Sequence, residues 1–120
     1  MATERPFSLQ EFPGPRTGGV IYFVRSGDSG PIKIGFTRGD ASKRIAGLQT
    51  AHPEKLTLVA EIGGDREGES TLHAEFRHLR LRGEWFEPGA DLLALIDEIN
   101  TRTALMVQRH QAAMATVADM

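Results

Sequence analysis

Two short runs of β-branched and aromatic residues near the N-terminus predict the first pair of β-strands. The runs are Val20–Arg25 and Ile32–Thr37, and the residues between them are glycine, serine, aspartate and proline. Apolar runs separated by such turn-forming residues are typical of a β-hairpin. Because side chains alternate along a strand, Ile21 and Phe23 are expected on one face and Tyr22 on the other.

Three residues of this hairpin suit the floor of a polar site. In one register, Tyr22 and Lys33 share a face beside the bare backbone of Gly35. That face then combines a phenol, an amine and a gap in the layer of side chains. The alternative is structural, because tyrosine favours strands, lysine protects exposed edges and glycine marks bulges.

A helix and a third strand are predicted after the hairpin. Asp40 or Ser42 can cap the helix, and Pro53 ends it. The third strand is predicted over Lys55–Gly63. Its alternate apolar residues are expected on one face of the sheet: Leu56, Leu58, Ala60 and Ile62.

Two more helices complete the predicted order of elements. The first follows a candidate cap, Asp65, and runs to Gly83, and the second begins at Ala90. The order strand, strand, helix, strand, helix, helix predicts an α+β fold with a small, three-stranded, mostly antiparallel sheet flanked by helices. We expect a flexible N-terminal arm over 1–19, one domain over 20–100 and a C-terminal helical extension over 101–120.

The composition is that of an ordinary globular protein. The 120 residues, 40% hydrophobic and 25% charged, suffice for one domain with a modest core. A formal net charge of −2 gives no overall attraction to nucleic acid, so phosphate contacts need a local basic patch. The chain has no cysteine, which excludes disulfides, thiolate zinc sites and cysteine nucleophiles. Without a signal-peptide pattern or an apolar run of membrane-spanning length, we expect a cytoplasmic protein with no membrane partner.

Five side chains have the chemistry that phosphodiester hydrolysis needs: Tyr22, Lys33, Arg44, Glu69 and His73. The reaction needs a group that activates water and a cation that holds a phosphate oxygen. It is helped by a metal ion, usually held by one or two carboxylates. Glu69 continues the apolar stripe of its helix by one three-residue step before Leu72, so its carboxylate is expected on the buried face.

Each of these side chains has a candidate role. Tyr22 or Lys33 orients or deprotonates the attacking water, and Arg44 contacts the phosphate in a fork geometry. Glu69 binds Mg²⁺ with waters that complete the coordination, and His73 relays a proton or contacts a phosphate. Alternatively, Glu69 is a helix-start acid stabilised by the helix dipole, and Arg44 is a surface arginine that lies along the core.

A second set of basic residues is a candidate for contact with the DNA backbone. Its members are Lys43, Arg77, Arg80 and Arg82. Arginine and lysine clusters supply the phosphate contacts that position a protein on DNA. The alternative is a solvated helix face whose cations pair with neighbouring acids.

The ordered set of motifs resembles the GIY-YIG nuclease superfamily, in its compact branch of phage proteins and a meiotically up-regulated fungal protein. Val20-Ile21-Tyr22 stands at the first motif, with valine for the leading glycine, and Lys33-Ile34-Gly35 stands at the second, with lysine for the tyrosine. Arg44 and Glu69 match the arginine of the first helix and the metal-binding glutamate. The run from Glu69 through Leu72-His73 and Phe76 to Glu84-Trp85-Phe86 is similar to the pattern of this branch.

This resemblance implies a divalent-metal-dependent endonuclease that hydrolyses DNA, with one Mg²⁺ or Mn²⁺ on Glu69. Lysine in place of the second tyrosine makes Tyr22 the stronger candidate to activate water. A different hypothesis is a non-catalytic module of the same fold that binds nucleic acid or protein, which the near-neutral charge favours. A third is that the helix Ala90–Met120 mediates a homodimer.

Overall fold

The computed structural model describes the backbone of residues 18–118 and the side chains of residues 18–112. Its elements are β1 (Val20–Ser26), β2 (Ile32–Thr37), α1 (Ala41–Gln49), β3 (Leu56–Gly63), α2 (Arg66–Glu75), a 3₁₀ turn (Arg77–Leu79), β4 (Arg80–Arg82), β5 (Trp85–Phe86) and α3 (Ala90–Ala118). All but the last two residues of the arm expected over 1–19 lie outside the described residues. None of the described helices combines the length and the apolar character that a membrane span needs.

The sheet has five antiparallel strands in the order β3-β1-β2-β5-β4. The prediction of a three-stranded sheet is therefore wrong, although the α+β class fits. The two missed strands are only three and two residues long, too short to show an alternating pattern. Gly83, with a φ of 57°, turns the chain between them in a conformation that glycine adopts without strain.

The second helix is shorter than its sequence predicts, because α2 ends at Glu75 instead of continuing to Gly83. Phe76 leaves helical geometry with a φ of −103° and is buried in the core. The chain then makes a 3₁₀ turn, in which the amide of Leu79 donates to the carbonyl of Phe76 at 2.8 Å. The amide of Glu87 donates to the carbonyl of Leu79 at 2.7 Å, which holds the β4–β5 hairpin against this turn.

The sheet separates two layers of core residues, as the alternation in the first strand predicts. Ile21 and Phe23 lie in the larger core, beneath α2 and α3. Tyr22 and Val24 lie in the smaller core beneath α1, with Ile45. Successive residues of β1 therefore contribute their side chains to opposite layers.

The apolar residues of β3 do not share one face, contrary to the prediction. Leu56 and Leu58 pack in the α1 layer, whereas Ala60 and Ile62 pack in the α2–α3 layer. The cause is a β-bulge at Val59, which is the extra residue between the partners of two successive β1 residues. One extra residue moves the alternation to the opposite face.

The predicted helix starts are confirmed by their capping bonds. The Asp40 carboxylate accepts from the amide of Ser42 at 2.8 Å, so Asp40 rather than Ser42 caps α1. The Asp65 carboxylate accepts from the amide of Gly68 at 2.8 Å at the start of α2. These caps satisfy amides that lack a partner within the helix.

Candidate functional site

Tyr22 and Lys33 share the α1 face of the hairpin, as one predicted register requires. The pairing of β1 with β2 sets Tyr22 opposite Gly35 and Val24 opposite Lys33. Tyr22 is buried, with 1% of its surface exposed, and its ring lies over Gly35. A Cβ at position 35 would collide with Cζ and Oη of Tyr22, so the bare backbone of Gly35 fixes where the phenol lies.

The ammonium of Lys33 is held between a carboxylate and an indole ring. Its Nζ lies 2.8 Å from Oε2 of Glu84 and 5.9 Å from the centre of the Trp85 ring. Trp85 stands opposite Lys33 in the sheet, and its other contact is the stacked ring of His52, 5.3 Å away. With 14% of its side chain exposed, Lys33 presents a positioned cation instead of a freely solvated one.

His73 fastens α2 to the edge of β2. Its Nε2 lies 2.9 Å from the carbonyl oxygen of Ile34, and its ring meets Phe86 edge-on at 5.1 Å. A carbonyl only accepts hydrogen bonds, so Nε2 carries the proton and Nδ1 is the nitrogen left for other partners. Glu69 precedes His73 by four residues and lies on the same side of the helix, one turn toward its start.

Glu69 lies within electrostatic range of the hairpin. Burial raises the pKa of its carboxyl group above the ordinary value of 4.5, and the negative charge of Glu84 adds to the rise. The charges of His73, Arg66 and Lys33 act in the opposite direction and are outweighed. The carboxylate of Glu69 therefore lies in the electrostatic environment of Glu84, His73 and Lys33.

Strand β5 is too short to cover the whole edge of β2. It pairs with β2 only at Ile32 and Lys33, and the amide of Ile34 then donates to the carbonyl of Glu84 at 3.0 Å. No strand in the described part of the chain pairs with this side of β2 beyond that point. We call the cluster around this open edge the β2-edge site: Lys33, Glu69, His73 and Glu84.

The predicted arginine of the first helix has no contact with this cluster. Arg44 and Lys43 are exposed on α1, whose buried side carries Ala41 and Ile45. The Arg44 guanidinium forms no hydrogen bond or ion pair within the described residues. Its role at a phosphate stays a prediction.

The other predicted basic residues lie along the far edge of the sheet. Arg77 belongs to the 3₁₀ turn, and Arg80 and Arg82 belong to β4. All three are exposed, and Arg80 Nε donates to the carbonyl of Gly83 at 2.8 Å. They form a strip two strands away from β2, on elements other than the one that carries Lys43.

Comparison with known proteins identifies the family. The model of the T5orf172 domain matches residues 19–103, which include every strand and the first half of α3. The chain belongs to the T5orf172 domain family. These phage-type domains are associated with nucleases and with DNA-binding functions. No curated protein and no solved structure matches the chain significantly.

The T5orf172 domain has a donor set that suits a hard divalent cation. Among the described residues, no group of three histidine or acidic side chains could hold a metal by itself. Mg²⁺ instead keeps several waters and binds proteins through one or two carboxylates. Glu69 and Glu84 supply two carboxylates, and the charge of Glu84 adds to the rise in the pKa of Glu69. The residues therefore fit this kind of ion.

Sequence reasoning did not assign Glu84 a role in the site. The residue stands directly before the two-residue strand β5, and only the pairing of that strand with β2 brings its carboxylate to Lys33. The available signals were its place in the Glu84-Trp85-Phe86 stretch that resembles the nuclease branch, and the turn-forming glycine directly before it.

Proposed function

We propose that this T5orf172 domain is a divalent-metal-dependent endonuclease of the GIY-YIG type that hydrolyses phosphodiester bonds of DNA. The observation that carries the proposal is the bond of His73 on α2 to the main chain of β2, next to the ion pair of Lys33 with Glu84. This bond fixes the helix of the proposed metal-binding acid, Glu69, against the strand of the proposed phosphate-binding cation, Lys33. The similarity of the motifs to GIY-YIG nucleases supports the same function.

Glu69, with Glu84 beside it, would hold Mg²⁺ or Mn²⁺. The bound ion would neutralise negative charge that builds on a phosphate oxygen during hydrolysis. Burial and the charge of Glu84 both disfavour the ionised form of Glu69. A cation at this position would relieve the repulsion between the two carboxylates, so its binding is favourable there.

The other side chains position the substrate and the water. Lys33 would offer its ammonium to a phosphate oxygen, and the Glu84 carboxylate keeps that ammonium in place. The Tyr22 phenol, fixed over Gly35, would orient the attacking water. The Nε2–H of His73 donates a hydrogen bond to the carbonyl of Ile34, so Nδ1 would be the atom that exchanges a proton during the reaction.

Arginine and lysine side chains away from the β2-edge site would hold the DNA backbone. Arg44 and Lys43, which are exposed on α1, would contact backbone phosphates on either side of the bond that is cut. Arg77, Arg80 and Arg82 are exposed on the β4 side and would contact the backbone there. Such contacts make affinity fall steeply with salt concentration, because each neutralised phosphate releases a counterion.

Nicking of supercoiled plasmid DNA tests the proposed activity. We expect nicking with Mg²⁺ or Mn²⁺ and none with EDTA. Glu69→Gln keeps the shape of the side chain but removes its charge, and should lower the rate by about 100-fold or more. Glu87→Gln, in the exposed loop after β5, should cut at the wild-type rate. Undiminished cleavage by Glu69→Gln would remove the assigned role of Glu69.

A second candidate function is a non-catalytic module that binds nucleic acid or protein. It is favoured by the ion pair of Lys33 with Glu84, which already compensates the charge of the lysine. Fluorescence anisotropy with labelled DNA in EDTA measures binding, and cleavage in Mg²⁺ and Mn²⁺ measures catalysis. Binding without cleavage in either metal would favour the module over the enzyme.

A further inference from the structure

A cavity of about 470 Å³ lies at the first turn of α2, next to the β2-edge site. It is formed by the entry to β1, the end of β2 and the start of α2. Its lining residues are Gly18, Gly19, Phe36, Arg38, Asp65, Arg66 and Glu67. The volume lies within the range of about 300 to 1,000 Å³ that is usual for small-molecule sites.

One wall of this cavity must be bare backbone. A Cβ on Gly18 would come within 2.9 Å of Cβ of Asp65. A Cβ on Gly19 would come within 2.9 Å of the Phe36 ring, and the φ of 130° at Gly19 strains any other residue. The glycine pair therefore lets the main chain lie against the aromatic ring, and side chains fill only the opposite walls.

The opposite walls combine a stacking surface with free cations. The guanidinium of Arg66 lies 5.1 Å from the centre of the Phe36 ring, which is a cation–π contact. Arg38 and Arg66 are exposed, and neither forms an ion pair with another described residue. The Asp65 carboxylate is engaged as the cap of α2, which leaves Glu67 as the acceptor at the cavity.

These groups match the parts of a nucleotide. Bases stack on arginine guanidinium planes, and Arg66, which is itself held over the Phe36 ring, provides one. A guanidinium such as that of Arg38 binds phosphate through two parallel hydrogen bonds. A carboxylate such as that of Glu67 accepts hydrogen bonds from the exocyclic amino group of a base.

We propose that this cavity binds one nucleotide of the DNA strand, adjacent to the phosphate that reaches the β2-edge site. The base would lie against Arg66 and Phe36, and the nucleotide's phosphate would lie on Arg38. Arg66 precedes Glu69 by three residues on α2, and Phe36 follows Lys33 by three residues on β2, so the two sites share these two elements. This inference rests on the proposed function for its substrate, but it concerns a separate set of residues.

Nuclear magnetic resonance of the full chain in EDTA tests nucleotide binding apart from cleavage. Deoxycytidine 5′-monophosphate and deoxyadenosine 5′-monophosphate should shift the amide signals of Gly18, Gly19 and Phe36, and inorganic phosphate should bind at least tenfold more weakly. Arg38→Gln should weaken nucleotide binding about tenfold, because it removes one charged phosphate contact. Arg109→Gln, which removes the same charge from the exposed part of α3, should leave it unchanged.

Two outcomes would overturn the inference. Equal affinity for inorganic phosphate and for both nucleotides would indicate an anion site without base recognition, and unchanged amide signals at the cavity would indicate no site. Phe36→Leu should weaken nucleotide binding more than phosphate binding, and its melting temperature checks that it folds. Failure to nick plasmid DNA, with nucleotide binding intact, would refute the nuclease and leave the cavity assignment standing.

Discussion

The ring of Tyr22 lies over Gly35 of the neighbouring strand and occupies the space that any other side chain at position 35 would need. The two residues are direct partners across the hairpin, and both are buried. A phenol proposed to orient water is thereby fixed by main-chain packing and not by a hydrogen bond. The position of the ring therefore depends on residue 35 having no side chain.

Gly35→Ala should destabilise the fold by about 1 to 3 kcal/mol, the usual cost of overpacking a core. It should also lower nuclease activity, because the displaced ring is the proposed water-orienting group. Gly47→Ala is the matched control, since a Cβ there would meet no described atom within 4 Å. Because Gly47 lies inside α1, that variant should gain roughly 0.5 to 1 kcal/mol. Urea unfolding measures both, and equal stability of the two variants would contradict the packing of Tyr22 on Gly35.

Gln49 holds the connection between α1 and β3 with three hydrogen bonds. Its side-chain amide donates to the carbonyls of His52 and Glu54, at 3.3 and 2.8 Å, and its oxygen accepts from the amide of Leu56 at 2.7 Å. Gln49→Ala should lower the free energy of unfolding by about 1 to 3 kcal/mol, because these backbone groups lose their partner. Gln108→Ala, on the exposed part of α3, should change it by less than about 0.5 kcal/mol. Thermal unfolding measures the loss of stability in both variants. A similar loss in the two would argue against a stabilising role for the three hydrogen bonds of Gln49.

Glu69 should reduce stability at neutral pH. Burial and Glu84 raise its pKa in the folded state, so folding favours the protonated acid. The stabilising contribution is complete below the unfolded pKa and is lost as the pH rises through the folded pKa. Glu69→Gln should therefore melt higher than wild type at pH 7 and at the same temperature at pH 3. Glu87→Gln controls for the loss of an exposed charge. A Glu69→Gln variant that melts at a lower temperature than wild type at pH 7 would refute the destabilising effect assigned to the ionised Glu69.

The C-terminal part of α3 is proposed to mediate a homodimer. Leu105, Met106 and Val107 are large apolar residues that are about half exposed, and they follow the end of the family match at residue 103. Large apolar side chains that stay exposed on a helix are candidates for contact with a partner. Leu105→Gln combined with Val107→Gln should convert a dimer to a monomer in light scattering. Leu81→Gln, which removes an equally exposed leucine from β4, should leave the dimer intact. A wild-type monomer at high protein concentration would refute the proposal.

The parts of the fold that repeat a pattern over many residues could be predicted, and the short or irregular parts could not. Alternation in β1 gave the two layers, and the caps Asp40 and Asp65 gave both helix starts. The bulge at Val59 is invisible to such reasoning, because an extra residue changes the face without changing the composition. Strands of two and three residues are equally invisible, since they carry no period.

The residues of the candidate site likewise separate into those that a repeating sequence pattern predicts and those that it does not. The shared face of Tyr22 and Lys33 follows from strand alternation, and the inward face of Glu69 follows from the stripe of its helix. Glu84 depends on β5, which has no signature of its own, so its pairing with Lys33 could not be foreseen. Arg44 has the residue type for phosphate binding, but residue type alone does not give the direction of an exposed side chain.

The shortness of β5 also limits how a domain of this kind can be redesigned. A sheet normally insulates the helices above it from the helices below it, and a longer fifth strand would run its main chain between Lys33 on one side and Glu69 on the other. Such a variant would keep every catalytic candidate and every core residue, yet the groups would no longer reach one substrate. The length of the Trp85–Phe86 strand is therefore a feature to compare in relatives, together with the proposed catalytic residues.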